Sequence, residues 1–421
     1  MRRGVLLWLV LIAAYATTLG VDAGPQERYS VAEAHRLLTA ASLAEDSSLE
    51  LSDEYAARDW ARFSDRPLTP TAPRVDGRLV EPQGLGFALL IAPAYALGGP
   101  LAVEALGAAL LALAFVLAAA LARRLVPDPW ATRAALVGGL SPPALAGATT
   151  IAPAPAAAAL LTAGVLLALR VRDEPRRRTS AGAAVAIALL PWLGVRFLAP
   201  GLVVALALAR WLRRRQRGVA GVVALEILLC SAVVLITVNE RLFGGLVPGA
   251  AEPGAPAAGV EDAGELLGRV PALLGALVDR DAGLLRWAPV LALAGMSLWL
   301  LARSRRDRVA LALPERLDVE VATGLLAATA AAGLAVAALT APTLRGSWLI
   351  PGDVLAVVPV TAALAAWGLR HAPRAALVLA ALTMAGSVWL VLGVRLGTGA
   401  GLGPPSGPLP WGGLEALLPV L

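Results

Sequence analysis

Four side chains in this sequence stand where they could handle a charged ligand at a membrane face. Asp22 and Glu27 follow directly on the first apolar run, residues 4–20. An acid in that place can take a proton from a hydroxyl or anchor a divalent cation. The plain alternative is ordinary loop charge, because segment 21–84 carries 12 acids and 7 Arg. Arg196, in PWLGVRF, interrupts the apolar stretch 180–211. Its fork of donors suits a phosphate, and a snorkelling interfacial Arg is the competing reading. Arg345, in TLRGSW, carries the same two readings. Two histidines, His35 on the polar face of a loop helix and His371 beside Arg370 in a turn, are far apart, and Cys230 lies inside an apolar run. That inventory excludes a zinc site of the usual kind and a disulfide within the chain. A carboxylate-bound Mg2+ or Mn2+ on the outer face stays open.

The elements that must position these groups are membrane helices. Of 421 residues, 58% are hydrophobic and 16% charged, far from the composition of a soluble domain. Apolar stretches of the length that crosses a bilayer, about 17–25 residues, lie near 4–20, 101–122, 132–147, 153–169, 219–238, 287–303, 321–340, 353–369 and 375–394. The stretch 180–211 is broken by Pro191, Gly194 and Arg196, and two helices meeting at Arg196 fit it better than one. A bare Arg at mid-bilayer costs at least about 2.5 kcal/mol. The expectation is an all-α polytopic protein of about eleven spans.

Its direction follows from the arginines, the only basic residues besides the two His. With Arg2 and Arg3 placed inside, alternation puts 22 Arg and 7 acids on the cytoplasmic side, against 14 Arg and 21 acids outside. The bias sets N-in, C-out, and it accounts for the basic balance without nucleic acid. Tryptophans near span ends (Trp130, Trp192, Trp211, Trp287, Trp348, Trp367) fit interfacial anchors. Glu226 is the one acid well inside a span. An intramembrane acid is a functional hypothesis by default, but it lies about two turns from the cytoplasmic end, which favours a hydrogen-bonded structural acid. Residues 1–24 also have the order of a secretory signal, and cleavage there would leave the next loop outside all the same.

The domain expected is a single transmembrane unit, 1–394, with outer loops 21–100 and 239–286 and a Gly/Pro-rich external tail, 395–421. In the first loop, Ser30 and Glu33 form a capping box that opens a helix through VAEAHRLLTAASLAED. Ser52, Asp53 and Glu54 open a second helix with Glu54 and Arg58 at i,i+4. The apolar stretch between Gly84 and Gly98 is too short to span and reads as interfacial or re-entrant.

The order of these features carries a resemblance. A first span, an acidic loop with short helices and an apolar hairpin come first. LSPPALAG, a broken pair around PWLGVRF, NERLFGG and DRDAGLLRWAPV follow. Over roughly residues 5–370 this resembles the C-type glycosyltransferase superfamily, in its bacterial protein-mannosyltransferase-like branch. The resemblance implies a multi-pass protein of a prokaryotic plasma membrane and cell envelope. It implies transfer of a sugar from a polyprenyl-phosphate donor to an extracytoplasmic acceptor, with Glu27 or Asp22 as base and Arg196 and Arg345 on the leaving phosphate. The match departs at particular positions. Asp22 and Glu27 are not adjacent, Ala154 stands where a second acid is usual, and Asp353 replaces a basic residue. A non-catalytic relative that binds the lipid carrier or a partner is therefore an alternative, and a transporter is another, for which the broken pair 180–211 is the best support.

Overall fold

The protein is described by a computed structural model over residues 2–24, 27–71, 74–82, 84–214, 218–246, 269–280, 283–304, 314–340, 352–396 and 402. Among the described residues the regular elements are helices, with only two isolated bridges, Gly24 with Glu27 and Val75 with Arg78. The all-α polytopic expectation holds. Six helices are long and apolar enough to cross a membrane: Leu85–Ala122, Ala154–Asp173, Val195–Arg214, Gly218–Phe243, Asp318–Leu339 and Pro373–Arg395. The other expected spans are shorter or broken helices.

Helix α1 (Arg2–Tyr15) leads into the first loop, where α2 (Val31–Glu45) and α3 (Ser52–Ala57) lie. The capping box of α2 forms as expected, Ser30 accepting from the Glu33 N–H and Glu33 accepting from the Ser30 N–H. Helix α4 (Leu85–Ala122) carries the apolar stretch that begins at Leu85 into the next span through a break. Gly98 and Gly99 leave helical geometry there, Gly99 at φ 62°. Pro100 follows, which has no N–H to offer and whose ring crowds the preceding turn. The expected span 132–147 is instead two helices, α5 (Trp130–Gly139) and α6 (Pro142–Thr149). Pro142 forces Ser141 into an extended conformation, φ −66° and ψ 151°, which ends the first helix and starts the second.

Helices α7 (Ala154–Asp173), α8 (Arg177–Ala188), the single turn α9 (Leu190–Leu193), α10 (Leu198–Arg214) and α11 (Gly218–Phe243) follow. The break foreseen at Arg196 is real, with Gly194 and a 3-10 turn, Val195–Phe197, between α9 and α10. The second half contains α12 (Val270–Val278), α13 (Leu284–Trp287), α14 (Ala292–Ser304), α15 (Pro314–Thr340), α16 (Val358–His371) and α17 (Pro373–Arg395). Of the apolar stretch of α7, 78% is buried inside the protein, against 11% for α11. So α7 is core and α11 is left to face lipid. Small residues let the interior helices approach closely; a Cβ on Gly138 of α5 would lie 2.6 Å from that of Ala362 of α16.

Two expectations are corrected here. Trp287 is not an interfacial anchor, because it is fully buried in the core. Glu226 is not enclosed in a hydrogen-bonded pocket; it is exposed on the lipid-facing helix α11. The middle of the loop 239–286, Trp348, and all of the tail beyond Leu396 except Leu402 lie outside the described residues. The charge distribution makes a direct prediction for the helices: a reporter fused after Arg215 reads as cytoplasmic and one near Asp65 as external. The opposite pair of signals would overturn the N-in, C-out reading.

Candidate outer-face site

The site is built at the expected outer end of α1. Beyond the end of α1, Arg395 holds the turn 16–20, its Nε donating to the Thr17 carbonyl at 2.8 Å and its Nη2 to that of Leu19 at 3.1 Å. Thr18 Oγ1 donates to the Leu145 carbonyl of α6 at 3.0 Å, and Thr149 Oγ1 returns a bond to the Thr18 carbonyl at 3.2 Å. Gly20, at φ 73°, turns the chain out of this fixed end, a conformation that glycine adopts without a Cβ penalty. Its N–H donates to Glu104 Oε2 at 2.9 Å.

Asp22 is the first residue to emerge. Its side chain is exposed and has no hydrogen-bond or ion-pair partner among the described residues, while its carbonyl accepts from the Leu402 N–H at 2.8 Å. Residues 23 and 24 pair with 27 and 28, Ala23 N–H on the Arg28 carbonyl at 3.1 Å and Gly24 N–H on that of Glu27 at 3.1 Å. Glu27 thus pairs with Gly24, two residues after Asp22. The two acids differ in environment, because Glu27 is engaged by Arg66 at 3.0 Å.

The sequence reading gave no role to the pair that fixes this turn. Glu104, 3% exposed and four residues after the Pro100 break, accepts from Arg28 at 2.6 Å. Arg28 also donates to the Val21 carbonyl and lies over the Tyr29 ring, 4.7 Å from its centroid. An acid near a restarted helix N-terminus is favoured by the helix dipole, and the bidentate reach of Arg ties loop to span. A signal was available: an acid inside an apolar run is expected to have a named partner, and an Arg stood just past the first span. A second clamp involves Ile151, whose N–H donates to Glu33 Oε1 at 2.8 Å and whose carbonyl accepts from Arg36 at 2.7 Å. It seats α2 on the turn leading to Ala154, where the resemblance would place a second acid.

Arg196 is positioned separately. Gly84 and Gly86, opening α4, press against the α9 turn so closely that a Cβ would sit 2.6 Å from the Leu193 carbonyl oxygen or 2.7 Å from the Trp192 Cβ. Trp192 donates from Nε1 to Ser231 Oγ at 2.9 Å, fixing the turn to α11. Arg196 is half-buried, its guanidinium 5.7 Å from the Phe197 ring centroid. No hydrogen bond or ion pair joins it to Asp22 or Glu27. Arg345 lies outside the described residues, as does the side chain of Asp353. Among the described residues no three His, Cys, Asp or Glu side chains converge to hold a metal ion.

The first loop departs from its expected solvated character. His35 is not on a solvent-facing helix stripe: it is 2% exposed, with Nδ1 2.8 Å from Tyr55 Oη and 3.4 Å from Glu81 Oε1. Burial pushes the Glu81 carboxyl up, but hydrogen bonds from His35, Thr71 and Tyr55 outweigh it and hold the group below the usual range. The expected Glu54–Arg58 pair is absent, because Arg58 turns left-handed at φ 64° and ends α3. Glu54 is enclosed instead, and neither carboxyl oxygen has a hydrogen-bond partner in place among the described residues.

Burial, with Asp53 adding to it, pushes Glu54 up to about 7 from an ordinary 4.5. Between those values the folded loop holds a proton that the unfolded chain has released, so stability falls as pH rises through that window. Thermal melts at pH 5 and pH 8 should show the higher Tm at pH 5, and Glu54→Gln should remove that part of the difference. A wild-type-like pH dependence in Glu54→Gln would exclude Glu54 as the cause.

No protein-family model matches the chain, and no curated protein matches it by sequence. Solved structures do. The crystal structure of ArnT from Cupriavidus metallidurans bound to undecaprenyl phosphate superposes with a TM-score of 0.56 at 14% identity, over 93% of this chain and 71% of that one. The same protein in its apo state gives 0.54 at 16% identity, over 93% and 69%. The chain thus has the fold of ArnT along nearly its whole length. It is the polytopic helical fold that the resemblance to the C-type superfamily led us to expect.

Proposed function

We propose that this protein is a membrane glycosyltransferase that moves a sugar from a polyprenyl-phosphate donor to an acceptor on the outer face of a prokaryotic plasma membrane. The observation that carries the reading is the likeness over 93% of the chain to a structure solved with undecaprenyl phosphate bound. It agrees with the acids and arginines that the sequence sets at the outer membrane face. Asp22 accepts the proton of an acceptor hydroxyl as its oxygen bonds to the sugar C1. The bond from C1 to the phosphate oxygen breaks, and polyprenyl phosphate leaves with its charge held by Arg196 and Arg345. Such transfer needs a positioned base and a held leaving group. Glu27 is the second candidate base, with its charge partly committed to Arg66.

A non-catalytic relative that binds the lipid carrier is favoured by two specific observations: Ala154 in place of a second acid, and Glu33 and Glu104 used in structural bonds. Equilibrium binding separates the arginine's role from the chemistry. Purified wild-type protein in detergent should bind a polyprenyl-phosphate sugar, and Arg196→Ala should weaken that binding about 10–100-fold, as expected for charge-assisted hydrogen bonds of about 1.5–3 kcal/mol. Arg196→Lys should restore it only in part, because the fork is lost. Unchanged affinity in the Ala variant would reduce Arg196 to an interfacial anchor, and no binding by the wild type would remove the proposed donor.

A further inference from the structure

The expected cytoplasmic ends of α10 and α11 do not close on each other. Between them runs an apolar groove of about 430 Å³, within the range of about 300–1,000 Å³ typical of ligand pockets. Small residues keep it open: Ala205 and Ala209 on α10, and Gly218, Gly221 and Ala224 on α11. Its floor is sealed by Leu208 and Leu212, 1% and 6% exposed. At its mouth stands Arg213, exposed, with Arg210 and Arg214 also exposed on the same last turns of α10. Helical spacing places 210, 213 and 214 on one face. None of the three has an ion-pair or hydrogen-bond partner among the described residues. The acid closest in sequence to the lining, Glu226, is outside it.

A groove for an aliphatic chain ending in uncommitted arginines fits one kind of occupant. We infer that the α10–α11 groove binds an anionic glycerophospholipid of the cytoplasmic leaflet, one acyl chain lying along the small residues and the phosphate meeting Arg213 and Arg210. Burying each methylene of the chain contributes favourably, and basic pockets between membrane helices on the cytoplasmic side are suited to acidic head groups. The leaflet assignment rests on the arginine distribution, and the site is separate from the outer-face site proposed for sugar transfer.

The groove can be filled without disturbing the fold. A Cβ at Gly221 meets nothing nearer than Leu212 Cβ at 3.9 Å, and one at Gly218 meets nothing within 4 Å. The test is native mass spectrometry of the purified full chain with equal amounts of phosphatidylglycerol and phosphatidylcholine of identical acyl chains. Wild type should retain phosphatidylglycerol preferentially, and removal of each Arg, in Arg213→Ala and Arg210→Ala, should lower that preference about five-fold. Gly221→Leu should lose the retained lipid while keeping the wild-type helical content. If Gly221→Leu fails to fold, Ala209→Leu fills the groove from the other wall. Inorganic phosphate should not compete. Equal retention of the two lipids by the wild type, undiminished phosphatidylglycerol in a folded groove-filling variant, or displacement by inorganic phosphate would each overturn the proposal. So would a dimer of the chain that Gly221→Leu disperses, since the groove would then be a protein interface.

Discussion

Asp22→Asn should lower sugar transfer about 10²–10⁴-fold, the usual contribution of a positioned general base, while donor affinity stays within about two-fold of wild type. The expectation rests on where the side chain stands. The turn that carries it is fixed at Gly20 by the bond to Glu104 and at Thr17 and Leu19 by Arg395. The carboxylate itself has no partner among the described residues. A base must have an uncommitted oxygen within reach of the acceptor hydroxyl, and Asp22 meets the first condition better than Glu27, which Arg66 holds at 3.0 Å. Glu27→Gln should therefore cost less than Asp22→Asn. Initial rates with a labelled donor separate the two. Full activity in both variants would place the base elsewhere, and a larger loss in Glu27→Gln would reverse their roles.

The largest effect on stability is expected at the buried pair. Arg28→Ala leaves Glu104, 3% exposed, with a single backbone N–H as partner. Removing one member of a buried ion pair costs about 3–5 kcal/mol, and Arg28, itself 32% exposed, should fall at the lower end of that range. Glu104→Gln should be milder, since the amide oxygen can still accept from Gly20 and the Arg28 head can turn to water. The double variant Arg28→Ala with Glu104→Gln should regain part of the loss, a non-additivity that a double-mutant cycle measures directly. Limited proteolysis of the first loop alongside thermal melts would locate the effect. Additive losses would mean that the pair does not couple loop to span.

Features written in local sequence were readable before the fold was known. The Ser30–Glu33 box, the break at Gly194–Arg196 and the discontinuity after Gly98 all follow from residues within one turn of each other. Glu33–Ile151 and the His35–Tyr55–Glu81 network were not readable, because their members are brought together only by packing; Arg28–Glu104 was readable only as an acid in an apolar run and an Arg past the first span, not as a pair. His35 has helical spacing that fits a solvated face; Tyr55 and Glu81, from later in the loop, bury it. Trp287 stood at a span end by position, yet the helices around α13 enclose it. Site chemistry was legible as residue types at a membrane face, and tertiary structure decides which acid is committed to a bond and which is not.

The proposed activity is turnover of a lipid-linked sugar on the outer face. It is tested most directly by incubating the purified protein in detergent with a series of polyprenyl-phosphate sugars labelled in the sugar, and measuring release or transfer of the label. Label should leave the lipid phosphate with wild-type protein and remain on it with Asp22→Asn. A wild-type protein that binds these donors but releases no label, with or without acceptor or Mg2+ and Mn2+, would contradict the proposed activity and leave a lipid-carrier-binding protein on the same fold.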